Sequence, residues 1–242
     1  MSIAVSNLTK KYGQNTVLNN LSVTISEGMY GLLGKNGAGK TTFMRILTTI
    51  LPYESGSVEI YGIPHRKTRD IRKIIGYLPQ DFSLYPSLTV YEALDYCGVL
   101  SEIPKRERRE RITELLEKTN LTAETRKKVK ALSGGMKRRL GIAQAMLNDP
   151  KVLIVDEPTV GLDPEERVNF REMLTEYAAG RVVILSTHIV EDIEETCGVI
   201  GILHNGNLAF NGNINDFKEN MNADKLETAY MKLLKGKGGK SK

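Results

Sequence analysis

The chain carries, at residues 34–41, the sequence Gly34-Lys35-Asn36-Gly37-Ala38-Gly39-Lys40-Thr41. This is a full match to the phosphate-binding pattern G-x-x-x-x-G-K-[ST]. A short apolar run, Tyr30 to Leu33, precedes it and is typical of a buried strand, and a helix-like pattern begins near Lys40. The order strand, glycine-rich loop, helix is the context in which this pattern binds phosphate.

Each residue type in this loop has a physical role. The glycines allow a tight backbone whose N–H groups converge on phosphate oxygens. The N-terminus of the following helix adds about half a positive charge and unpaired N–H donors. Lys40 adds a full charge for the β- and γ-phosphates, and the Thr41 hydroxyl is a ligand for Mg²⁺. The loop therefore predicts a site for a nucleoside triphosphate.

Length and composition are those of an ordinary globular chain, with 242 residues, 40% hydrophobic and 26% charged. No apolar run approaches the roughly 18 residues needed to cross a bilayer, and the N-terminus has no signal-peptide pattern. Cys97 and Cys197 are isolated in the sequence, which indicates neither a metal cluster nor a disulfide framework. We expect a reducing, cytoplasmic setting.

The formal net charge of +5 does not predict nucleic-acid binding, because the excess lies in the last eleven residues. These contain no acid and five lysines: Lys232, Lys235, Lys237, Lys240 and Lys242. We expect residues 236–242 to form a basic, flexible tail. A weak contact of this tail with anionic lipid or with a partner is the alternative.

The pattern along the chain predicts two kinds of sheet. Residues 3–12 and 16–26 alternate between apolar and polar, as do Val58 and Ile60, which indicates half-buried antiparallel strands. The runs at 73–78, 152–155 and 182–185 instead predict strands that are separated by helices. The last two runs are nearly all aliphatic, and this pattern is typical of a parallel sheet covered on both faces. Residues 201–203 and 207–210 predict a closing hairpin.

Helical patterns fill most of the remaining sequence. They cover residues 91–100, 104–119, a segment after Ser133, 164–177 and a terminal helix at 222–234. Residues 81–149 are helical in character as a whole. The fold class is therefore α/β.

Two carboxylates, Asp156 and Glu157, directly follow the buried strand at 152–155. In open α/β sheets, ligands bind at the carboxyl ends of the strands. Phosphoryl transfer depends on positioning and charge stabilisation more than on covalent chemistry. Asp156 would hold the hydration shell of Mg²⁺, and Glu157 would orient or deprotonate the attacking water. The pair is therefore a candidate for both roles, although acidic residues at a strand end are common.

Several further segments resemble the motifs of ATP-binding-cassette (ABC) ATPases, in the order in which that family has them. Leu132-Ser133-Gly134-Gly135-Met136 resembles the signature motif, and Tyr77-Leu78-Pro79-Gln80 resembles the glutamine loop. Gly161-Leu162-Asp163 resembles the aspartate loop, and Ser186-Thr187-His188 resembles the switch histidine. Tyr12 matches the aromatic residue that stacks on adenine. With the phosphate loop, the resemblance covers essentially the whole chain.

The resemblance implies a single ABC ATPase domain at residues 1–235. Its core would be a RecA-like P-loop NTPase with a parallel sheet, an N-terminal antiparallel β subdomain and an inserted α-helical subdomain at about 81–149. The catalytic residues it implies are Glu157, His188, Gln80 and Lys40. The Mg²⁺ ligands are Thr41, Gln80 and Asp156. The ATP-binding residues are Tyr12, Gly34, Asn36, Gly37, Ala38, Gly39, Lys40, Thr41, Thr42, Ser133, Gly134, Gly135 and Asp163.

Several of these residues also have ordinary structural interpretations. Ser133 is suited to cap the helix that follows it, and Asp163 with Pro164 and Glu166 forms the pattern of a capping box. Taken alone, His188 would more often be a core histidine and Tyr12 a strand aromatic. His65 and His204 lack any motif.

The resemblance also implies partners. Two copies, expected to be a homodimer, would bury two ATP molecules between the phosphate loop of one and the signature of the other. The chain departs from the family pattern at two positions: Met136 stands where glutamine is commoner, and Lys35 stands where proline is frequent. A signature motif with methionine at this position, together with the sequence at 224–233, is similar to the multidrug and bacitracin-type exporter branch. We therefore expect a peripheral subunit on the inner face of the cell membrane that powers a permease on a separate chain. The permease is expected to dock on the segment from Asp81 to Leu100, where Phe82 and Tyr85 are predicted to be exposed.

The alternatives are ABC ATPases that do not transport. Chromosome-type members need long coiled coils, which the sequence lacks, and ribosome-type members usually carry two cassettes. A nucleotide sensor would be expected to lack Glu157 or His188. A small cassette for iron–sulfur assembly remains open.

Overall fold

The computed structural model describes residues 2–159 and 162–238. Its strands are β1 (Ile3–Tyr12), β2 (Asn15–Ile25), β3 (Gly28–Leu33), β4 (Ser55–Ile60), β5 (Ile63–Pro64), β6 (Ile75–Leu78), β7 (Val152–Asp156), β8 (Val182–Ser186), β9 (Val199–His204) and β10 (Asn207–Asn213). Its α-helices are α1 (Lys40–Leu47), α2 (Thr68–Ile74), α3 (Val90–Leu100), α4 (Lys105–Lys118), α5 (Gly134–Met146), α6 (Pro164–Tyr177), α7 (Val190–Thr196), α8 (Ile214–Asn220) and α9 (Leu226–Gly238).

A six-stranded sheet forms the centre of the molecule, in the order β10-β9-β3-β8-β7-β6. The strands from β9 to β6 are parallel, and β10 pairs antiparallel with β9. Strands β7 and β8 are buried along their whole length because helices and the second sheet cover both faces. The predicted α/β class with a parallel core sheet is confirmed.

The second sheet has four antiparallel strands in the order β2-β1-β4-β5. Inward side chains such as Ile3, Val5 and Leu21 alternate with exposed ones and share a hydrophobic cluster with Phe43 and Met44 of α1. This packing places the antiparallel sheet against the helix that follows the phosphate loop. The predicted N-terminal antiparallel subdomain is confirmed.

Helices α3, α4 and α5 lie within the segment predicted to be the helical subdomain. Their buried side chains, among them Leu94, Ile112 and Leu140, share one hydrophobic cluster with β6, β7 and β8. Gly76 of β6 lies directly against the carbonyl of Ala145, so that α5 packs closely on the sheet edge where only glycine fits. The helical segment is therefore fixed to the strand that ends before Gln80.

Three predicted element boundaries are wrong. The strand predicted at 73–78 begins only at Ile75, because Lys73 and Ile74 end helix α2. The terminal helix begins at Leu226 rather than at 222, and it ends at Gly238 rather than at 234. Helices α2, α7 and α8 were not predicted, since each has seven residues and buries too few side chains to set a helical period. Within the described ranges, no helix is long and apolar enough to cross a membrane.

Candidate functional site

The phosphate loop leaves β3 at the carboxyl end of the sheet and closes around the Lys40 side chain. Lys40 is buried, and its Nζ donates a hydrogen bond to the Gly34 carbonyl at 2.5 Å. Gly37 and Gly39 have φ of 81° and 105°, which side chains rarely adopt. A Cβ on Gly39 would also lie 2.9 Å from the Val17 carbonyl oxygen. The loop is thus preshaped by its glycines.

Helix α1 begins at Lys40 with its N-terminus open to a ligand. No side chain caps it within the described part of the chain, and its first turn contains no acid. Burial lowers the pKa of Lys40, while the nearby carboxylates of Glu157 and Asp156 oppose that shift. The result is a buried cation beside unpaired N–H donors, which is the chemistry of an anion site.

Asp156 lies at the end of β7 and is 1% exposed. The Thr41 hydroxyl donates a hydrogen bond to Asp156 Oδ2 at 3.1 Å. Asp156 Oδ1 and the Ser186 hydroxyl oxygen on the neighbouring strand are buried without a hydrogen-bond partner. Burial raises the pKa of the Asp156 carboxyl, although the hydrogen bond from Thr41 opposes this. Buried oxygens that lack partners fit a hydrated Mg²⁺ ion.

Glu157 and His188 form a direct pair at the same sheet edge. His188 Nδ1 lies 2.7 Å from Glu157 Oε2, and the His188 backbone N–H donates to the same oxygen at 3.3 Å. The Glu157 side chain is 6% exposed and that of His188 is 58% exposed, so the pair connects the interior to solvent. Glu157 has a left-handed backbone with φ of 50°, a strained conformation that clusters at functional sites.

The signature segment lies at the start of α5. The Ser133 side chain accepts a hydrogen bond from the Met136 amide at 3.2 Å, as expected for a helix cap. Ser133 and Gly134 are exposed, whereas Gly135 lies against the carboxylate of Glu166. Across the described ranges, no hydrogen bond joins this segment to the phosphate loop of the same chain. Among the described residues, the two halves of the predicted ATP site thus share no hydrogen bond within one chain.

Gln80 and Asp163 likewise form no hydrogen bond to the phosphate loop among the described residues. Gln80 is exposed and lines a shallow cleft with Gly134 and Arg138. The Asp163 side chain caps α6 by accepting a hydrogen bond from the Glu166 amide at 2.8 Å. The reciprocal half of the predicted capping box is not formed, since the Glu166 carboxylate instead accepts a bond from Arg139 at 2.7 Å. Gly161 lies outside the described residues.

Tyr12 ends strand β1, where it pairs with Asn15 and is 48% exposed. Lys10 Nζ lies 5.2 Å from the centre of the Tyr12 ring, and it also bonds Glu54 Oε1 at 3.0 Å. Hydrogen bonding from Lys10 lowers the pKa of Glu54. The tyrosine ring is thus exposed on the hairpin that borders the phosphate loop through Val17.

The two aromatic residues predicted for docking differ from each other. Tyr85 is 57% exposed and stacks edge-on with Tyr96 at 5.4 Å between ring centres. Phe82 is half-buried and packs on Gly141 of α5. The prediction that Phe82 is exposed is therefore wrong, because a bare glycine on α5 leaves room for its ring.

Sequence reasoning missed four residues that contact the candidate site residues or the segments carrying them: Ser186, Glu54, Thr159 and Asp192. Ser186 lies beside Asp156, Glu54 holds Lys10, and Thr159 donates a hydrogen bond to Asp192 at 2.6 Å. None of these contacts joins sequence neighbours. Of the four, only Ser186 belongs to a motif, Ser186-Thr187-His188, and no sequence pattern predicts that it lies opposite Asp156.

Comparisons with known proteins identify the family. A family profile described as "ABC transporter" matches residues 18–160 of the chain. The chain belongs to the ABC transporter family. As predicted, it is an ABC ATPase.

Two relatives of this ABC ATPase carry names that describe a function. It is 34% identical over 227 residues to the linearmycin resistance ATP-binding protein LnrL of Bacillus subtilis (strain 168), covering 93% of this chain and 73% of the relative. It is 40% identical over 208 residues to the Nod factor export ATP-binding protein I of Ralstonia nicotianae, covering 84% of this chain and 64% of the relative.

Two solved structures support the cassette fold. An ATP-binding subunit of an ABC transporter superposes with a TM-score of 0.89 at 28% identity, covering 97% of this chain and all of the other. The dimeric bacterial ABC transporter cassette MJ0796 has a TM-score of 0.78 at 27% identity, covering 87% of this chain and 98% of the other. The predicted ABC cassette fold is confirmed.

Proposed function

We propose that this ABC ATPase powers export through a permease on a separate chain, at the inner face of the cell membrane. The relatives support export, since one is named for Nod factor export and another for linearmycin resistance. The exposed Tyr85 and Tyr96 on the helical segment are suited to bind the permease. The non-transport alternative, including iron–sulfur assembly, is not favoured, because the profile and these relatives are of the transporter type.

The observation that carries the proposal is the division of the ATP site. The phosphate loop has an open helix N-terminus, and the signature serine caps a second exposed one on α5. Since these do not meet within one chain, a second copy must supply the signature to each loop. Two chains would then enclose two ATP molecules, in line with the dimeric cassette to which this chain is similar. Ser133, Gly134, Gly135 and Asp163 act in this interface.

Within one chain, the loop from Gly34 to Thr42 binds the phosphates. Lys40 and the N–H groups of Gly37 to Thr41 neutralise the phosphate charge. Thr41, Asp156 and Gln80 would hold Mg²⁺, and the ion would neutralise charge on the phosphate oxygens. Tyr12 stacks on the adenine ring, for which its exposed face and its neighbour Lys10 are suited.

The hydrolytic step is the work of Glu157 and His188. Glu157 orients the attacking water and takes its proton, because its buried carboxylate lies directly after the metal-side Asp156. His188 holds Glu157 through the 2.7 Å contact and, being exposed, presents its other ring nitrogen to the γ-phosphate.

Mixing two inactive variants tests the division of the site. Lys40→Ala removes phosphate affinity, and Ser133→Arg places a bulky cation where two backbones must meet. In a mixed dimer one site carries both changes and the other neither, so mixing restores up to about a quarter of the wild-type ATPase rate if sites act independently. A wild-type rate per subunit that stays constant on dilution through the dimer–monomer transition would refute the proposal.

The transport part has its own test. The tagged chain is expected to sediment with membranes only when the six-helix membrane protein of a neighbouring reading frame is co-expressed. Sedimentation that does not depend on such a protein would contradict the permease assignment without touching the ATPase site.

A further inference from the structure

We propose that Thr159, Asp192 and Arg171 form a positioning network that holds Glu157 and His188 at their reactive distance. The inference rests on the proposed roles of Glu157 and His188. It assigns a function to three residues that belong to none of the motifs and that do not touch the nucleotide loop.

The network is centred on the Asp192 carboxylate, which is 0% exposed. The Thr159 hydroxyl donates to Asp192 Oδ2 at 2.6 Å, and Arg171 Nη1 donates to Asp192 Oδ1 at 3.2 Å. Thr159 is itself 1% exposed. Both carboxylate oxygens thus have partners, as a buried anion requires.

Each member of the network belongs to a segment that carries part of the hydrolytic pair. Thr159 lies two residues after Glu157, on the loop that leaves β7. Asp192 lies four residues after His188, in the first turn of α7. Two separate contacts therefore join these segments: the hydrogen bond between Thr159 and Asp192, and the contact between Glu157 and His188.

Arg171 connects these loops to a longer element. It lies on the fourteen-residue helix α6, and its Nη2 also pairs with Glu195 of α7 at 2.7 Å. Helix α7 has only seven residues and no side-chain cap. A short helix of this kind has little stability of its own, so its orientation depends on such side-chain contacts. Arg171 thus fixes α7, and with it the loop of His188, relative to α6.

The local backbone makes such a support necessary. Glu157 has φ of 50°, a conformation that persists only when the surroundings over-determine it. If Thr159 is released from Asp192, the Glu157 loop and the His188 loop can separate while β7 and β8 remain paired. A displacement near 1 Å at a reacting group lowers turnover by about 100-fold.

The main variant is Thr159→Val, which keeps the volume and removes the hydroxyl. The expected result is a kcat lower by about 10- to 100-fold, with KM for ATP within about twofold of wild type. Thr159→Ser restores the hydroxyl and is expected to recover kcat to within about threefold of wild type. Thr119→Val is the matched control: its buried hydroxyl bonds the Leu115 carbonyl at 2.7 Å in the helical segment, and its kcat should be unchanged.

A second readout is independent of turnover. The ring nitrogens of the three histidines, His65, His188 and His204, give separate ¹⁵N signals. In wild type, His188 Nδ1 should show a hydrogen bond to Glu157, and Thr159→Val should weaken that signature. His65, whose Nε2 lies 2.7 Å from the Ile46 carbonyl oxygen, serves as the internal reference. A destabilised fold would disturb both histidines, whereas lost positioning alters only His188.

The outcomes separate the inference from the proposed function. An unchanged His188 spectrum in Thr159→Val, or equal kcat in the valine and serine variants, overturns the network. Should Thr159→Val not fold, Asp192→Asn gives the same two readouts, because Arg171 Nη1 then faces a neutral amide and Arg171 keeps only Glu195 as a charged partner. Undiminished turnover in Glu157→Gln would instead overturn the proposed function and leave the His188 readout valid.

Discussion

Replacing Glu157 by glutamine is the most direct perturbation of the hydrolytic step. Both donors from His188 reach Oε2, at 2.7 and 3.3 Å, and Oε1 has no protein partner within the described ranges. Oε1 is therefore the oxygen available to a water molecule. In the variant the amide oxygen takes the place of Oε2, and the NH₂ group takes that of Oε1. A proton acceptor becomes a donor while the shape and the His188 contact are retained.

The size of the effect follows from this exchange. Loss of a general base lowers turnover by about 10²- to 10⁴-fold, which corresponds to about 3–5 kcal/mol in the activation barrier. Stability should change little, because the amide removes both the repulsion between Glu157 and Asp156 and the attraction between Glu157 and Lys40. ATP binding should persist, since Lys40 and its loop are unchanged.

Phosphate release measures turnover, equilibrium binding of a fluorescent ATP analogue measures affinity, and size-exclusion chromatography with ATP detects the trapped dimer. Glu191→Gln, the same exchange at an exposed position of α7, is the control and should keep wild-type turnover. Turnover of Glu157→Gln within about threefold of wild type would refute the assignment of the base. Loss of ATP binding would show that the exchange had disturbed the loop instead.

Two further predictions concern the stacking of adenine on Tyr12 and the stability of the fold at high pH. Tyr12→Ala should weaken ATP binding by about 1–3 kcal/mol in titration calorimetry, and an unchanged affinity would return Tyr12 to the role of a strand aromatic. Thermal stability should fall as the pH rises above about 9, because burial raises the pKa of Cys197 from 9.0 to about 12 and that of Tyr77 from 10.0 to about 12. Below pH 9 both groups are protonated in the folded and unfolded states; above it the unfolded state ionises first and is favoured. A melting temperature that is flat from pH 8 to about 10.5 would contradict this.

Local pattern was sufficient for the elements that position the loop. The glycine pattern at 34–41, the aliphatic runs of β7 and β8 and the proline-started helix α6 are all short-range signals, and each predicted its element to within a few residues. The strand predicted from Lys73 failed for a local reason. The last turn of α2 and the start of β6 form one continuous stretch of sequence, so periodicity did not separate them.

The contacts within the candidate site could not be predicted, because they join distant residues. Glu157 and His188 are 31 positions apart, and Thr159 and Asp192 are 33 apart. What brings them together is the parallel pairing of β7 with β8, in which Asp156 lies opposite Ser186. Strand order and register are properties of the whole sheet, so the sequence indicated which residues were chemical candidates but not which of them touch.

The charges at the sheet edge bear on the proposal that two chains share the ATP site. The buried ammonium of Lys40 and the half-buried guanidinium of Arg138 both interact with the carboxylates of Asp156 and Glu157, so these four side chains carry no net positive charge for a triphosphate. The N-terminus of α1 adds only about half a charge. In the proposed dimer, a divalent cation beside Asp156 and the α5 N-terminus of the second copy, whose first turn also contains no acid, would add positive charge. Because the triphosphate attracts both, nucleotide binding and closure of the proposed dimer stabilise each other.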